Sequence, residues 1–149
     1  MIQDVVIKIL NKHEDDRGWL SEIYRIDETF FRPKMAYVSV TKPGVSRGPH
    51  EHKFQSDCFV FVGPGNFDLY LWDNRKESST FEQHVEIQVG SEKPTMVIVP
   101  PGVVHGYKCT SKEDAFCINL PDELYRGEKK TQEVDEIRWE LVSDCKFKI

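Results

Sequence analysis

Apolar residues along this chain fall in short runs closed by Gly, Pro, Asn or Asp, and their period is two rather than three or four. The clearest case is Phe67-Asp68-Leu69-Tyr70-Leu71-Trp72, where alternate side chains must share one face of a sheet. Runs of the same kind predict strands over residues 5–10, 19–25, 35–41, 58–62, 67–72, 84–89, 95–99, 106–110 and 115–120. Gly63-Pro64-Gly65-Asn66, set between two apolar runs, predicts a tight hairpin; Lys42-Pro43-Gly44 and Pro100-Pro101-Gly102 mark further turns. Helical periodicity is nearly absent. One helical turn is expected over residues 122–125, behind Pro121, followed by a polar loop over 127–133. Many short strands between turn signals point to an all-β sandwich or barrel.

Length and composition narrow this to one domain over residues 1–149. A chain of 149 residues with 39% hydrophobic and 30% charged residues supports one core, and it holds no repeat, linker or long apolar stretch. The opening MIQDVVIKIL carries Asp4 and lacks a small-residue cleavage site, so it reads as a first strand and not a signal peptide, and a cytoplasmic location is expected. Cys58, Cys109, Cys117 and Cys145 form no CxxC pair, which favours reduced, buried thiols. A net charge of -5 argues against nucleic acid and anionic membranes as partners. A small anionic ligand needs only a few local cations, for which Arg17, Arg47 and Lys53 are candidates.

The densest polar cluster is Arg47-Gly48-Pro49-His50-Glu51-His52, followed by Gln55 and Asp57 and answered far along the chain by His105. On an extended strand residues i and i+2 project to the same side, so His50 and His52 share one face. His13 and His84 lie in polar surroundings and are expected in solvent.

Gly44 six residues before His50, His52 at i+2, Asp57 near the acidic position and Pro101-Gly102-x-x-His105 together resemble the two motifs of the cupin family. That resemblance implies a double-stranded β-helix, or jelly-roll, barrel with short helical turns near the C-terminus, in which His50, His52, Asp57 and His105 converge. Within the cupins the chain is most similar to the dTDP-4-dehydrorhamnose 3,5-epimerase family. The segments that carry this likeness are Asp16-Arg17-Gly18-Trp19, Arg47-Gly48-Pro49-His50, Asp73-Asn74-Arg75-Lys76-Glu77-Ser78-Ser79-Thr80, Pro101-Gly102-Val103-Val104-His105-Gly106-Tyr107, and the stretch from Tyr125 through Glu128 to Trp139.

The resemblance implies an isomerase that epimerises a nucleotide-linked 4-keto-6-deoxy sugar, dTDP-linked for preference, without a cofactor, as a homodimer with paired or exchanged N-terminal strands. It puts Arg17 and Arg47 on the diphosphate, where guanidinium forks grip phosphate oxygens in pairs. Trp19 or Tyr125 would cover the base or sugar, with Glu22, Lys53, Gln55 and Glu128 completing the substrate contacts. His50 would be the base that takes a proton from carbon next to the carbonyl.

The pattern departs from the family where it matters for chemistry. The family's cavity lysine falls at Asp57 and its catalytic tyrosine at Asn119, and Asp144 is the remaining counterpart of the carboxylate that orients the base. Three alternatives therefore stand beside the epimerase. Arg47-Gly48-Pro49-His50-Glu51-His52-Lys53 resembles the strand of sugar 3,4-ketoisomerases, with Tyr37 as a third participant. His50, His52, Asp57 and His105 also make a ligand set for a divalent metal such as Zn, Fe, Mn or Ni. The last alternative is a sugar-nucleotide binder without catalysis.

Overall fold

The computed structural model describes residues 1–149, and the alternating runs form twelve strands. β1 (Val6–Ile9), β9 (Thr95–Val99), β6 (Asp57–Phe61), β11 (Ala115–Asn119) and β4 (Tyr37–Thr41) make one five-stranded sheet in that spatial order. The second sheet runs β12 (Ile137–Arg138), β5 (Ser46–Glu51), β10 (Val103–Cys109), β7 (Asn66–Asp73), β8 (His84–Gly90). Every pairing is antiparallel, and β2 (His13–Asp15) with β3 (Gly18–Leu20) forms a separate hairpin. The two sheets face each other as a jelly-roll, the architecture expected of a cupin.

The alternation in β7 decides how its sheet is oriented. Phe67, Leu69 and Leu71 are fully buried, while Asp68, Tyr70 and Trp72 between them are half-exposed on the outer face. Those inner residues meet Phe59, Phe61, Val97 and Val99 of the facing sheet, together with Val103 and Tyr107, in the main core. Each such side chain contributes about 1.5–3 kcal/mol on burial. β6 and β9 are buried on both faces, because Leu10, Ile23, Phe31 and Leu120 cover Cys58, Val60, Met96 and Ile98 from outside. This explains why Thr95-Met96-Val97-Ile98-Val99 reads as a continuous apolar run instead of alternating. The C-terminal segment covers the other sheet, packing Cys145 and Phe147 on Val104 beside Trp72 and Trp139.

Four expectations are corrected. Gly63-Pro64-Gly65 does not close a hairpin: β6 pairs with β9 and β11, β7 with β8 and β10, so the turn carries the chain from one sheet to the other. The strand expected over residues 19–25 ends at Leu20, and Ile23 folds back as part of the outer cover. Residues 122–125 are not helical. The short helical turns near the C-terminus are 3-10 turns at Glu128–Lys130, inside the segment expected to be a polar loop, and at Trp139–Leu141. The four cysteines are buried and free, and His13 and His84 are exposed, as expected. No helix is long and apolar enough to cross a membrane.

Candidate active site

Five strand ends meet at one end of the barrel. His50 on β5 stands directly opposite His105 on β10, with an irregularity in register between His105 and Tyr107. Gly48 makes this approach feasible: at φ 80, a Cβ there would lie 2.7 Å from the His105 carbonyl oxygen. From the facing sheet, Asp57 opens β6, Asn119 closes β11 and Tyr37 opens β4, with Asn119 and Tyr37 paired in register. His52 follows directly after β5.

The ring of His50 lies 4.4 Å from that of His105 and 5.5 Å from that of His52, centroid to centroid. Below them Asp57 is 1% exposed, His105 2% and Asn119 1%. One oxygen of Asp57 is well satisfied: Oδ1 accepts from Gln55 Nε2 at 2.9 Å and Asn119 Nδ2 at 2.8 Å. The other, Oδ2, lies 3.0 Å from His52 Nε2 and 3.2 Å from His105 Nε2, yet neither approach has the alignment of a hydrogen bond.

The other ring nitrogens are committed. His105 Nδ1 donates to the Val103 carbonyl at 2.9 Å, and His52 Nδ1 donates to the Asp135 carbonyl. A carbonyl oxygen only accepts, so both Nδ1 atoms carry hydrogen and both Nε2 atoms of the neutral rings turn a lone pair towards Asp57. Asp135 in turn holds the turn after His52, its carboxylate accepting from the backbone N–H of Lys53, Phe54 and Gln55 at 2.9, 2.8 and 3.0 Å.

These surroundings set the charges. Burial, reinforced by the imidazoles of His105 and His52, pushes His50 down to about 2, so its ring is neutral. Burial also lifts the Tyr37 hydroxyl above its ordinary value, partly offset by Asn119 Nδ2, which donates to it at 2.9 Å. Tyr37 therefore keeps its proton.

Above the cluster opens a cleft of about 1110 Å³. Of the residues expected at the site, Tyr37, Arg47, His50, His52, Gln55 and Tyr125 line it, while Asp57, His105 and Asn119 form its floor. Arg47 is pre-set, its Nε donating to Thr41 Oγ1 at 2.9 Å and Nη2 to the Val40 carbonyl at 2.6 Å. Lys53 and Glu128 fall outside the lining. Arg17, Trp19 and Glu22 do too: Arg17 is paired with Asp15, Trp19 lies under Lys12 at 4.4 Å, and Glu22 is paired with Arg25. Asp144 is exposed and belongs neither to the cluster nor to the cleft lining.

Sequence reasoning missed Asp135 and the cations Arg126, Lys129, Lys130 and Arg138, which line the cleft. Their segment is polar and without period, so only its proximity in space marks it.

A model of the dTDP-4-dehydrorhamnose 3,5-epimerase family matches residues 1–144. The chain belongs to this family of isomerases. Over 135 residues it is 33% identical to the probable low-salt glycan biosynthesis epimerase Agl13 of Haloferax volcanii, covering 89% of this chain and 86% of that protein. Over 109 residues it is 36% identical to the spore coat polysaccharide biosynthesis protein SpsL of Bacillus subtilis, covering 72% of each. Among solved structures, a dTDP sugar isomerase from Desulfovibrio desulfuricans G20 superposes with a TM-score of 0.81 at 20% identity, over 92% of this chain and 84% of that one, a likeness of fold. Family membership bears out the epimerase resemblance read from the five linked segments.

Proposed function

We propose that the chain epimerises a nucleotide-linked 4-keto-6-deoxy sugar at C3, C5 or both, by taking a proton from carbon beside the ketone and returning it with inversion. The observation that carries this reading is the single cleft, in a chain of this family, that holds a neutral imidazole at His50 and a protonated hydroxyl at Tyr37. The ketone acidifies its neighbouring C–H bonds, and His50 Nε2 or Nδ1 accepts the proton as an enolate forms. Tyr37 supplies the proton to the carbon. Asn119 fills the position where the family pattern has tyrosine, and its amide holds the hydroxyl of Tyr37 on the adjacent strand, which places a phenol in the cleft by another route.

Arg47, Arg126, Lys129 and Lys130 line the same cleft and suit a diphosphate, with Tyr125 against the sugar or base; a dTDP-linked sugar is the proposed substrate. A homodimer accounts for the exposed hairpin of Arg17 and Trp19, which lies outside its own cleft and is proposed to reach the partner's. A cytoplasmic location follows from a nucleotide-sugar substrate.

Proton NMR in deuterated water with dTDP-4-keto-6-deoxyglucose tests the reading. Deuterium entering C3 or C5 with the ketone still at C4 is the expected result. A ketone appearing at C3 would make the protein a ketoisomerase, and binding without exchange would make it a sugar-nucleotide binder.

A further inference from the structure

We propose that His52, Asp57 and His105 together hold a divalent first-row transition-metal ion at the floor of the cleft, beside the base His50, in departure from the cofactor-free chemistry that the family resemblance implies. One donor atom from each of the three, and one from His50, lie within 4.8 Å of one another. Two atoms each about 2.1 Å from a shared centre stand about 3.0 Å apart at a right angle and about 3.4 Å apart at a tetrahedral angle. The 3.0 and 3.2 Å separations of Asp57 Oδ2 from the two Nε2 atoms fall within this range.

Hydrogen bonding supplies the independent observation. Asp57 Oδ2 and His105 Nε2 are both buried without a hydrogen-bond partner, in side chains 1% and 2% exposed. An anionic oxygen and two imidazole lone pairs pointed at one place repel each other unless a positive charge lies between them. A proton would be held on a straight N–H···O line, and neither imidazole offers one; a cation needs only a common centre.

The surroundings fit the same conclusion. Imidazoles that bind a metal through one nitrogen nearly always donate from the other to a carbonyl or carboxylate, as His52 does to Asp135 and His105 to Val103. Gln55 and Asn119 occupy Oδ1 of Asp57, which turns Oδ2 into the free donor atom. Two nitrogens and one carboxylate favour a borderline ion such as Zn, Fe, Mn, Ni or Co over Ca or Mg. His50 and His52 line the cleft, so the remaining coordination positions open towards it. When bound, the ion supplies the positive charge for an enolate oxygen that the family pattern assigns to a lysine and that Asp57 does not carry.

The site is tested without any sugar, and so independently of the epimerase reading. Chelator-stripped protein is titrated with Co(II) and followed by visible absorption, calorimetry and thermal melting. Expected are about one ion per chain, d–d bands without thiolate charge transfer, and a raised Tm. Asp57→Asn and His105→Gln should weaken binding at least about a hundredfold, and Gln55→Ala about tenfold by loosening the carboxylate. If the first two variants fail to fold, Gln55→Ala with the wild type decides. Folded wild type that takes up none of Co(II), Zn(II), Mn(II) or Ni(II), or binding unchanged in the folded variants, overturns the proposal. Solvent exchange into the sugar by stripped protein is measured separately and bears only on the epimerase reading.

Discussion

Asp57 and Asp73 are equally buried, each 1% exposed at the end of a strand, and the barrel treats them in opposite ways. Around Asp73 every acceptor site is used. Oδ1 accepts from the Arg75 backbone at 3.1 Å and Arg75 Nε at 2.8 Å; Oδ2 accepts from Arg75 Nη2, Ser78 Oγ and Thr80 Oγ1 at 2.9, 2.5 and 2.6 Å. Arg75 then reaches the N-terminal segment, donating to the Gln3 carbonyl at 2.7 Å and to Asp4 at 3.2 Å. Asp57 has one oxygen satisfied and the other facing imidazoles without a donor in line. Burial of a carboxylate therefore does not distinguish scaffold from site. Its unsatisfied atoms do, because an orphaned acceptor in a dry interior persists only where something else answers it.

The comparison is broken most forcefully at the His–Asp57 end. His50→Asn keeps the size and polarity of the side chain but removes the proton acceptor, and solvent deuterium entry into the sugar should fall by about 10²–10⁴ with Tm unchanged. Full exchange in that variant, read by NMR, removes His50 from the base role. At the other end, Asp73→Asn should leave exchange chemistry intact per folded molecule but cost about 3 kcal/mol, since the Arg75 guanidinium loses its buried partner. Urea unfolding checks this, and a loss below about 1 kcal/mol would mean the network is not structural.

The pH dependence sharpens the same contrast. Burial alone would raise the Asp73 carboxyl, but Arg75, Ser78 and Thr80 hold it well below the usual range. A depressed folded value stabilises fully above the unfolded value of about 3.9 and is lost as pH falls through the folded one. The difference in Tm between wild type and Asp73→Asn should therefore be constant near neutrality and shrink below about pH 4. A gap that widens in acid would contradict the assignment.

What the sequence disclosed follows the same division. Strands half-buried on one face announce themselves by alternation, as Phe67 to Trp72 does, and two motifs in order placed His50, His52, Asp57 and His105 together. β5 escaped the apolar runs because Ser46-Arg47-Gly48-Pro49-His50-Glu51 has no hydrophobic side chain except proline; register with β10, and not composition, makes it a strand. The turn at Gly63-Pro64-Gly65 was legible as a turn but not as a crossing between sheets, since local residues fix φ and not which strand comes next to which. Asp135 was invisible for a similar reason. It acts through a carbonyl and three backbone N–H groups across 80 to 83 residues, and nothing in its neighbours along the chain records that contact.

The smallest expected effect is the most discriminating. Asp57→Asn in metal-free protein removes a buried charge as large as that removed by Asp73→Asn, so counting charges predicts equal damage. Atom by atom the prediction differs. The asparagine oxygen can still accept from Gln55 and Asn119, while its amide N–H groups meet the Nε2 lone pairs of His52 and His105, which in wild type face an anionic oxygen. Gains and losses then nearly cancel, and unfolding free energy in chelator should change by less than about 1 kcal/mol. A loss comparable to that of Asp73→Asn would show that the Asp57 carboxylate already stabilises the fold through its imidazole neighbours, and the distinction between the two aspartates would fail. A near-zero change joined to lost Co(II) binding would fix Asp57 as a group kept for its chemistry at no benefit to the empty fold.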